Sequence, residues 1–183
     1  MSEQAGLHLI IAAFDHETGA EDALKSLKGS QDEELIGIQA AVALHKDETG
    51  QIHFKDVGLT PAKGAVGGVV LGAVVGVLTG GAGIALGALG ALVGGLVGRK
   101  KRESRFPAER VNQLAAALSP GSSAALIVME PGWAVVVEER LGLLGAEVLA
   151  ADIPEEFAEQ SSADREAAYA ALVNQLKGGE QSG

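Results

Sequence analysis

Apolar positions along the chain form two contrasting patterns, short runs between turn signals and one long glycine-spaced stretch. Leu7 to Phe14 is apolar except at His8 and ends at Asp15, which predicts a buried strand. Thr18 to Leu27 then reads as a helix with Thr18 as N-cap, Glu21 completing a capping box and Gly29 as the stop. Its inner stripe is Ala20, Ala23, Leu24 and Leu27. Leu35 to His45 predicts a second apolar strand, and the turn formers from Lys46 to Gly50 predict a hairpin into Gln51 to Val57. In that third strand Ile52, Phe54 and Val57 face one way and His53 and Lys55 the other.

The elements resume beyond the glycine-spaced stretch. Pro107 fits the first position of a helix with inner face Val111, Leu114, Ala115 and Leu118, and Ser119-Pro120-Gly121 stops it. Ser123 to Glu130 predicts a fourth strand, Pro131 to Leu144 a helix ended by Gly145, and Ala146 to Ile153 a fifth strand. Val135, Val136 and Val137 lower the intrinsic propensity of that helix, so packing must decide it. The order βαββ, insert, αβαβ predicts an α+β, ferredoxin-like split βαβ sandwich, with helices on one face of a mainly antiparallel sheet. A last amphipathic helix is expected from Ser161, with stripe Ala168, Tyr169, Leu172, Val173 and Leu176, stopped by Gly178 and docking on its own domain or another copy.

The insert is where composition changes the picture. Of 26 glycines in the chain, 13 lie between Ala62 and Gly98, where 22 further residues are Ala, Val, Leu or Ile and only Lys63 and Thr79 are neither. Gly64, Gly68, Gly72, Gly76 and Gly80 recur every fourth residue, and Gly83, Gly87, Gly90, Gly94 and Gly98 nearly so. Residues four apart share a helical face, so these glycines make a groove into which another backbone fits closely. In water each interior glycine costs about 0.5–1 kcal/mol relative to alanine, which packing or an apolar solvent must offset. Turn formers cluster at Thr79 to Gly83. The stretch therefore reads as an antiparallel helical hairpin, each arm on the order of 24 Å long against a hydrocarbon core of about 30 Å.

Charge is segmented in the same way. The 183-residue chain carries 14 basic and 24 acidic side chains, a formal net of −10. Residues 1–61 carry a net −7, residues 62–106 a net +5 and residues 107–183 a net −8. The basic charge is Lys63 before the insert and Arg99, Lys100, Lys101, Arg102 and Arg105 after it, a pattern suited to anionic headgroups. The acidic halves argue against nucleic acid as a partner. Organisation follows: residues 1–61 and 107–153 are the two halves of one α+β domain, 62–98 the hairpin, 99–106 a basic linker and 154–183 the C-terminal helix and a flexible end. The first residues lack a basic region ahead of their short apolar run, so no secretory signal is expected.

Chemistry is sparse. The chain has no cysteine, so neither disulfides nor thiolate-ligated metals are expected. His45 and His53 fall on adjacent strands near Asp47 and Glu48 and are weak candidates for a metal site, more simply read as strand-surface histidines. His8 reads as a half-buried strand residue and His16 as a turn residue. The pairs Glu33-Glu34, Glu138-Glu139 and Glu155-Glu156 read as solvated faces. No phosphate-binding glycine loop or nucleophile elbow is present, so neither an enzyme nor a cofactor is expected.

Several segments together resemble the DUF1269 family of prokaryotic proteins, usually labelled membrane proteins of unknown function. They are the opening Ile-Ala-Ala-Phe-Asp followed by Ala-Glu-Asp-Ala-Leu, the Asp-Glu-Thr-Gly-Gln-Ile-His hairpin, Thr-Pro-Ala-Lys-Gly-Ala leading into the glycine spacing, and Leu-Ser-Pro-Gly-Ser-Ser-Ala-Ala-Leu-Ile-Val. The resemblance covers about residues 7–153. It implies a ferredoxin-like domain interrupted by a glycine-zipper hairpin and no catalytic residues. The resulting expectation is a non-enzymatic protein that joins the cytoplasmic membrane and copies of itself through the hairpin, with both soluble halves in the cytoplasm. The alternatives are a soluble homo-oligomer whose hairpins bury one another without lipid, and a pore-forming assembly, for which residues 64–98, with no charge and one hydroxyl, Thr79, offer no ion path.

Overall fold

A computed structural model describes residues 6–31, 37–59 and 118–153, together with Leu71 and Lys177. The glycine-spaced stretch apart from Leu71, the basic linker, the helix from Pro107 and the C-terminal helix apart from Lys177 lie outside the described residues. Leu71 is helical and fully buried, and Lys177 is helical and exposed.

Seven elements are described: β1 (Leu7–Phe14), α1 (Gly19–Gln31), β2 (Ile38–Lys46), β3 (Ile52–Lys55), β4 (Ser123–Met129), α2 (Pro131–Leu143) and β5 (Glu147–Ile153). The five strands form one antiparallel sheet in the order β3-β2-β4-β1-β5. The fold is α+β. β4 lies between β1 and β2, and β1 lies between β4 and β5, so the β1-α1-β2 and β4-α2-β5 units interleave.

The three central strands are near-continuous apolar runs because both their sides are buried. One side packs against both helices: Ile10, Ala12 and Phe14 of β1 and Ala125, Ile127 and Met129 of β4 meet Ala20, Ala23, Leu24 and Leu27 of α1 and Ala134, Val137 and Leu141 of α2. The expected inner stripe of α1 is thus in the core. The alternate residues form a second face that includes Leu9, Ile11, Val42, Leu44, Leu126 and Val128, none more than 1% exposed. Burial on both faces goes beyond the expectation of helices on one.

The edges are built differently. β3 is four residues long, and β5 carries exposed Glu147 and Asp152, the short and charged edges that discourage further strand pairing.

Thr18 stands at the N-cap position of α1 as expected, its carbonyl accepting from Asp22 N–H at 3.0 Å, while the capping box and the stop differ from the expectation. The helix runs through Gly29 to Gln31, because a single helical glycine lowers propensity without preventing the turn. At its start, the Glu21 carboxylate does not close a capping box but accepts from Lys25 Nζ at 2.6 Å and Lys55 Nζ at 2.7 Å, tying α1 to β3. The first-turn amide of Ala20 donates instead to Ser123 Oγ on β4 at 3.0 Å. Gly19 is required for contact: a side-chain carbon there would lie 2.6 Å from Phe14 Cβ. α2 ends as expected, with Gly145 at φ 88° and Ala146 N–H donating to Leu141 O at 3.1 Å. β3 stops at Lys55, so Val57 packs against the core from beyond the strand.

Candidate functional site

The ten glycines and six basic residues that carry the sequence-derived site, Gly64 to Gly98 with Lys63 and Arg99 to Arg105, lie outside the described residues. The residues on either side of residues 60–117 are described. Beyond β3, Leu59 O accepts a hydrogen bond from Ala41 N–H of β2 at 2.9 Å. Ahead of β4, Leu118 O accepts from Lys46 Nζ at 3.0 Å, Gly121 N–H donates to Lys46 O at 2.8 Å, and Lys46 N–H donates to Ser122 O at 3.0 Å. The described residues on either side of residues 60–117 thus both bond to β2, at Ala41 and Lys46, about 17 Å apart at the rise of an antiparallel strand.

The β2–β3 hairpin brings the two candidate histidines together. His45 and His53 are direct cross-strand partners, their rings stacked at 5.1 Å between centroids and 20° between planes. His53 Nε2–H donates to Asp47 Oδ2 at 2.6 Å, while His45 Nε2 lies 3.6 Å from Glu17 Oε1. Asp47 Oδ1 is already occupied by Thr49 Oγ1 at 2.6 Å, Thr49 N at 2.9 Å and Gln51 N at 2.9 Å. This is an aspartate-capped turn, and the carboxylate spends its lone pairs on closing it. Among the described residues no group of three or more histidine, aspartate or glutamate side chains is arranged to hold a metal ion.

The Thr49 hydroxyl, then His53, then the Gln51 amide hold the Asp47 carboxyl well below the usual carboxylate range. Its contribution to stability is therefore full above the unfolded-state value of about 3.9 and falls as pH drops through the lower folded-state value. Asp47→Asn should leave the domain less stable at pH 7, and the gap from the parent should narrow as pH falls below about 4. Urea midpoints measured from pH 7 to pH 2 check this, and a gap that stays constant across the range would contradict it.

The other histidines fall where their spacing suggests. His8 Nδ1–H donates to Asp152 Oδ1 at 2.8 Å, with Nε2 3.6 Å from Glu138 Oε1, joining β1, β5 and α2. His16 sits in the turn after β1, donating to Asp15 Oδ1 at 2.9 Å, and that bond lowers the Asp15 carboxyl. Glu138 is thus a partner of His8.

Sequence reading missed one surface. The outer side of α2 exposes Trp133, Val135, Val136, Leu143 and Leu144, with Val135 at 73% and Leu143 at 83% exposure. The triple valine was its signal, since its three members cannot all face one core across 100° steps.

A family model described as a protein of unknown function, DUF1269, matches residues 62–163, more than half of the chain. The match runs from the start of the insert through β4, α2 and β5, and leaves β1 to β3 outside it. No curated protein and no solved structure matches.

Proposed function

The chain belongs to the DUF1269 family, and from that premise we propose that it is a non-enzymatic protein that attaches to the cytoplasmic membrane and assembles with copies of itself through residues 62–98. The α+β domain is its cytoplasmic platform, and its partners are lipid and its own copies. The observation that carries this reading is the sequence of residues 64–98, a 35-residue stretch without a charge in which glycine recurs at nearly every fourth position between basic flanks. A helical hairpin returns both ends of such a stretch to one surface, and 35 residues are too long for a single crossing of a hydrocarbon core of about 30 Å. Lys63 and the basic run from Arg99 then lie together at the base, where anionic headgroups add about 1 kcal/mol per residue. Among the described residues no helix is long and apolar enough to cross a membrane. We read the domain itself as ferredoxin-like, supported by the two interleaved βαβ units, with β3 as an added edge strand.

The test uses the second arm of the insert. Gly90→Leu with Gly94→Leu fills the groove between closely packed helices, so the particle mass should fall and recovery with membranes should drop, while far-UV circular dichroism of the domain is kept. Unchanged mass and recovery would overturn the proposal. The exposed apolar row on α2 favours a second reading, a soluble homo-oligomer joined without lipid. Flotation with anionic vesicles separates the two, since a detergent-free particle that stays in the aqueous fraction supports the second.

A further inference from the structure

The outer side of α2 is a helix face that the described elements do not cover. Ala134, Val137 and Leu141 carry the inner side into the core, while Trp133, Val135, Val136, Leu143 and Leu144 stay exposed. At about 100° per residue, Val136 and Leu143 point within about 20° of each other, two turns apart, and form a seam. Glu139 and Arg140 flank it on opposite sides, each about 50° from its centre. Val135 lies on the Glu139 flank, and Trp133 and Leu144 lie on the Arg140 flank. Gly132, one turn before Val136, has open space where a side chain would begin, so a second backbone can come close to the seam. Val135 and Val136 lower the helix propensity of α2 and, unlike Val137, have no place in the core, so a contact outside the domain is what would offset their cost.

We propose that α2 pairs side by side and in parallel with α2 of a second copy of this chain, Val136 and Leu143 meeting their counterparts across a two-fold axis. Charge selects this occupant and this direction. A two-fold axis along the helix sets the Glu139 flank of one copy against the Arg140 flank of the other, so Glu139 meets the partner's Arg140 on both sides of the seam. Antiparallel pairing sets each flank on its own counterpart, which like charges oppose. A purely apolar occupant would desolvate Glu139 and Arg140 without pairing them across the contact. Arg140 already has a contact within its own chain, and its fork of donors serves a second carboxylate as well. The inference rests on the reading that copies of this chain associate, and gives that association a surface other than residues 62–98. A helix of 13 residues, about 20 Å long, offers less than the ~800 Å² per partner of a standard interface. The contact is therefore reversible, and is strengthened where another link already holds two copies together.

The absence of native cysteine makes the test direct. Val136→Cys, Leu143→Cys and, as an off-seam control, Val135→Cys are made singly in the full chain, at exposed positions where substitution leaves the fold intact. Mild oxidation should link Val136→Cys chains to one another, and Leu143→Cys chains likewise, several-fold more than Val135→Cys chains. In a mixture of the first two, the mixed disulfide, told apart by intact mass, should be several-fold rarer, because parallel helices hold those positions about 10 Å apart, beyond the reach of a disulfide. Glu139→Arg should lower the seam yields several-fold, and adding Arg140→Glu should restore them. An excess of the mixed disulfide, equal yields at all three positions, or yields that Glu139→Arg leaves unchanged would overturn the proposal. Particle mass of the reduced parent chain separates the two readings. A particle larger than one chain that gives no seam disulfide overturns the α2 contact alone, and a single-chain mass without disulfides overturns self-association with it.

Discussion

Leu126→Ala should destabilise the domain by about 2–5 kcal/mol, and Ile127→Ala by a similar amount, because each removes a buried side chain and leaves a cavity. The two residues are neighbours on β4 and point to opposite sides of the sheet, and both are 0% exposed. Ile127 packs in the cluster formed with α1 and α2. Leu126 pairs laterally with Ile11 and Val42, on the face that neither helix touches. If that face were open to water, its truncation would fall within about 0.5 kcal/mol, as surface substitutions do. Urea denaturation of the two variants against the parent decides between a two-sided and a one-sided core. A Leu126 effect several-fold below that of Ile127 would refute burial on both faces.

Ser123→Ala should cost about 1–3 kcal/mol, a large loss for the removal of one oxygen, because it leaves the buried Ala20 amide without its partner and takes from His16 O one of two donors, the other being Gly19 N–H. Ser123 is 0% exposed, and its Oγ donates to His16 O at 2.6 Å and accepts from Ala20 N–H at 3.0 Å. Those two groups flank the start of α1, where helix geometry leaves the first amides without internal acceptors. The hydroxyl therefore ties the first turn of α1 to the first residue of β4, more than a hundred positions later in the chain. Hydrogen exchange should show a matching loss of protection at the Ala20 amide. Full protection there, with stability within about 0.5 kcal/mol of the parent, would refute the role.

That bond marks where sequence reasoning stops. The pattern Thr18, Glu21 is a sound capping signal, and local chemistry alone would close it. Glu21 is drawn away because Lys25 sits one turn on and β3 brings Lys55 to the same carboxylate, two cations against one amide. The cap then falls to Ser123, whose proximity no local window contains. The stop expected at Gly29 fails for a related reason: glycine lowers helix propensity without ending a helix, and α1 carries on to Gln31.

The histidine pair shows the same division. The hairpin from Lys46 to Gly50 is legible because its turn formers are contiguous, but whether His45 meets His53 directly or diagonally depends on a register that the loop leaves open. Register is set by Asp47, which collects donors from Thr49, Gln51 and His53 and so fixes which residues face each other.

Sequence alone determined the strands, the two helices around the core and the inner stripe of α1, because each depends on periodicity within a few residues. The near-continuous apolar runs of β1, β2 and β4 also carried, unread, the sign of a sheet buried on both sides. Tertiary structure decided the order β3-β2-β4-β1-β5, the cap that β4 supplies to α1 and the shared strand to which Leu59 and Leu118 both bond. These are contacts between residues far apart in the chain, made favourable only once burial has paired the strands, and no local pattern encodes them.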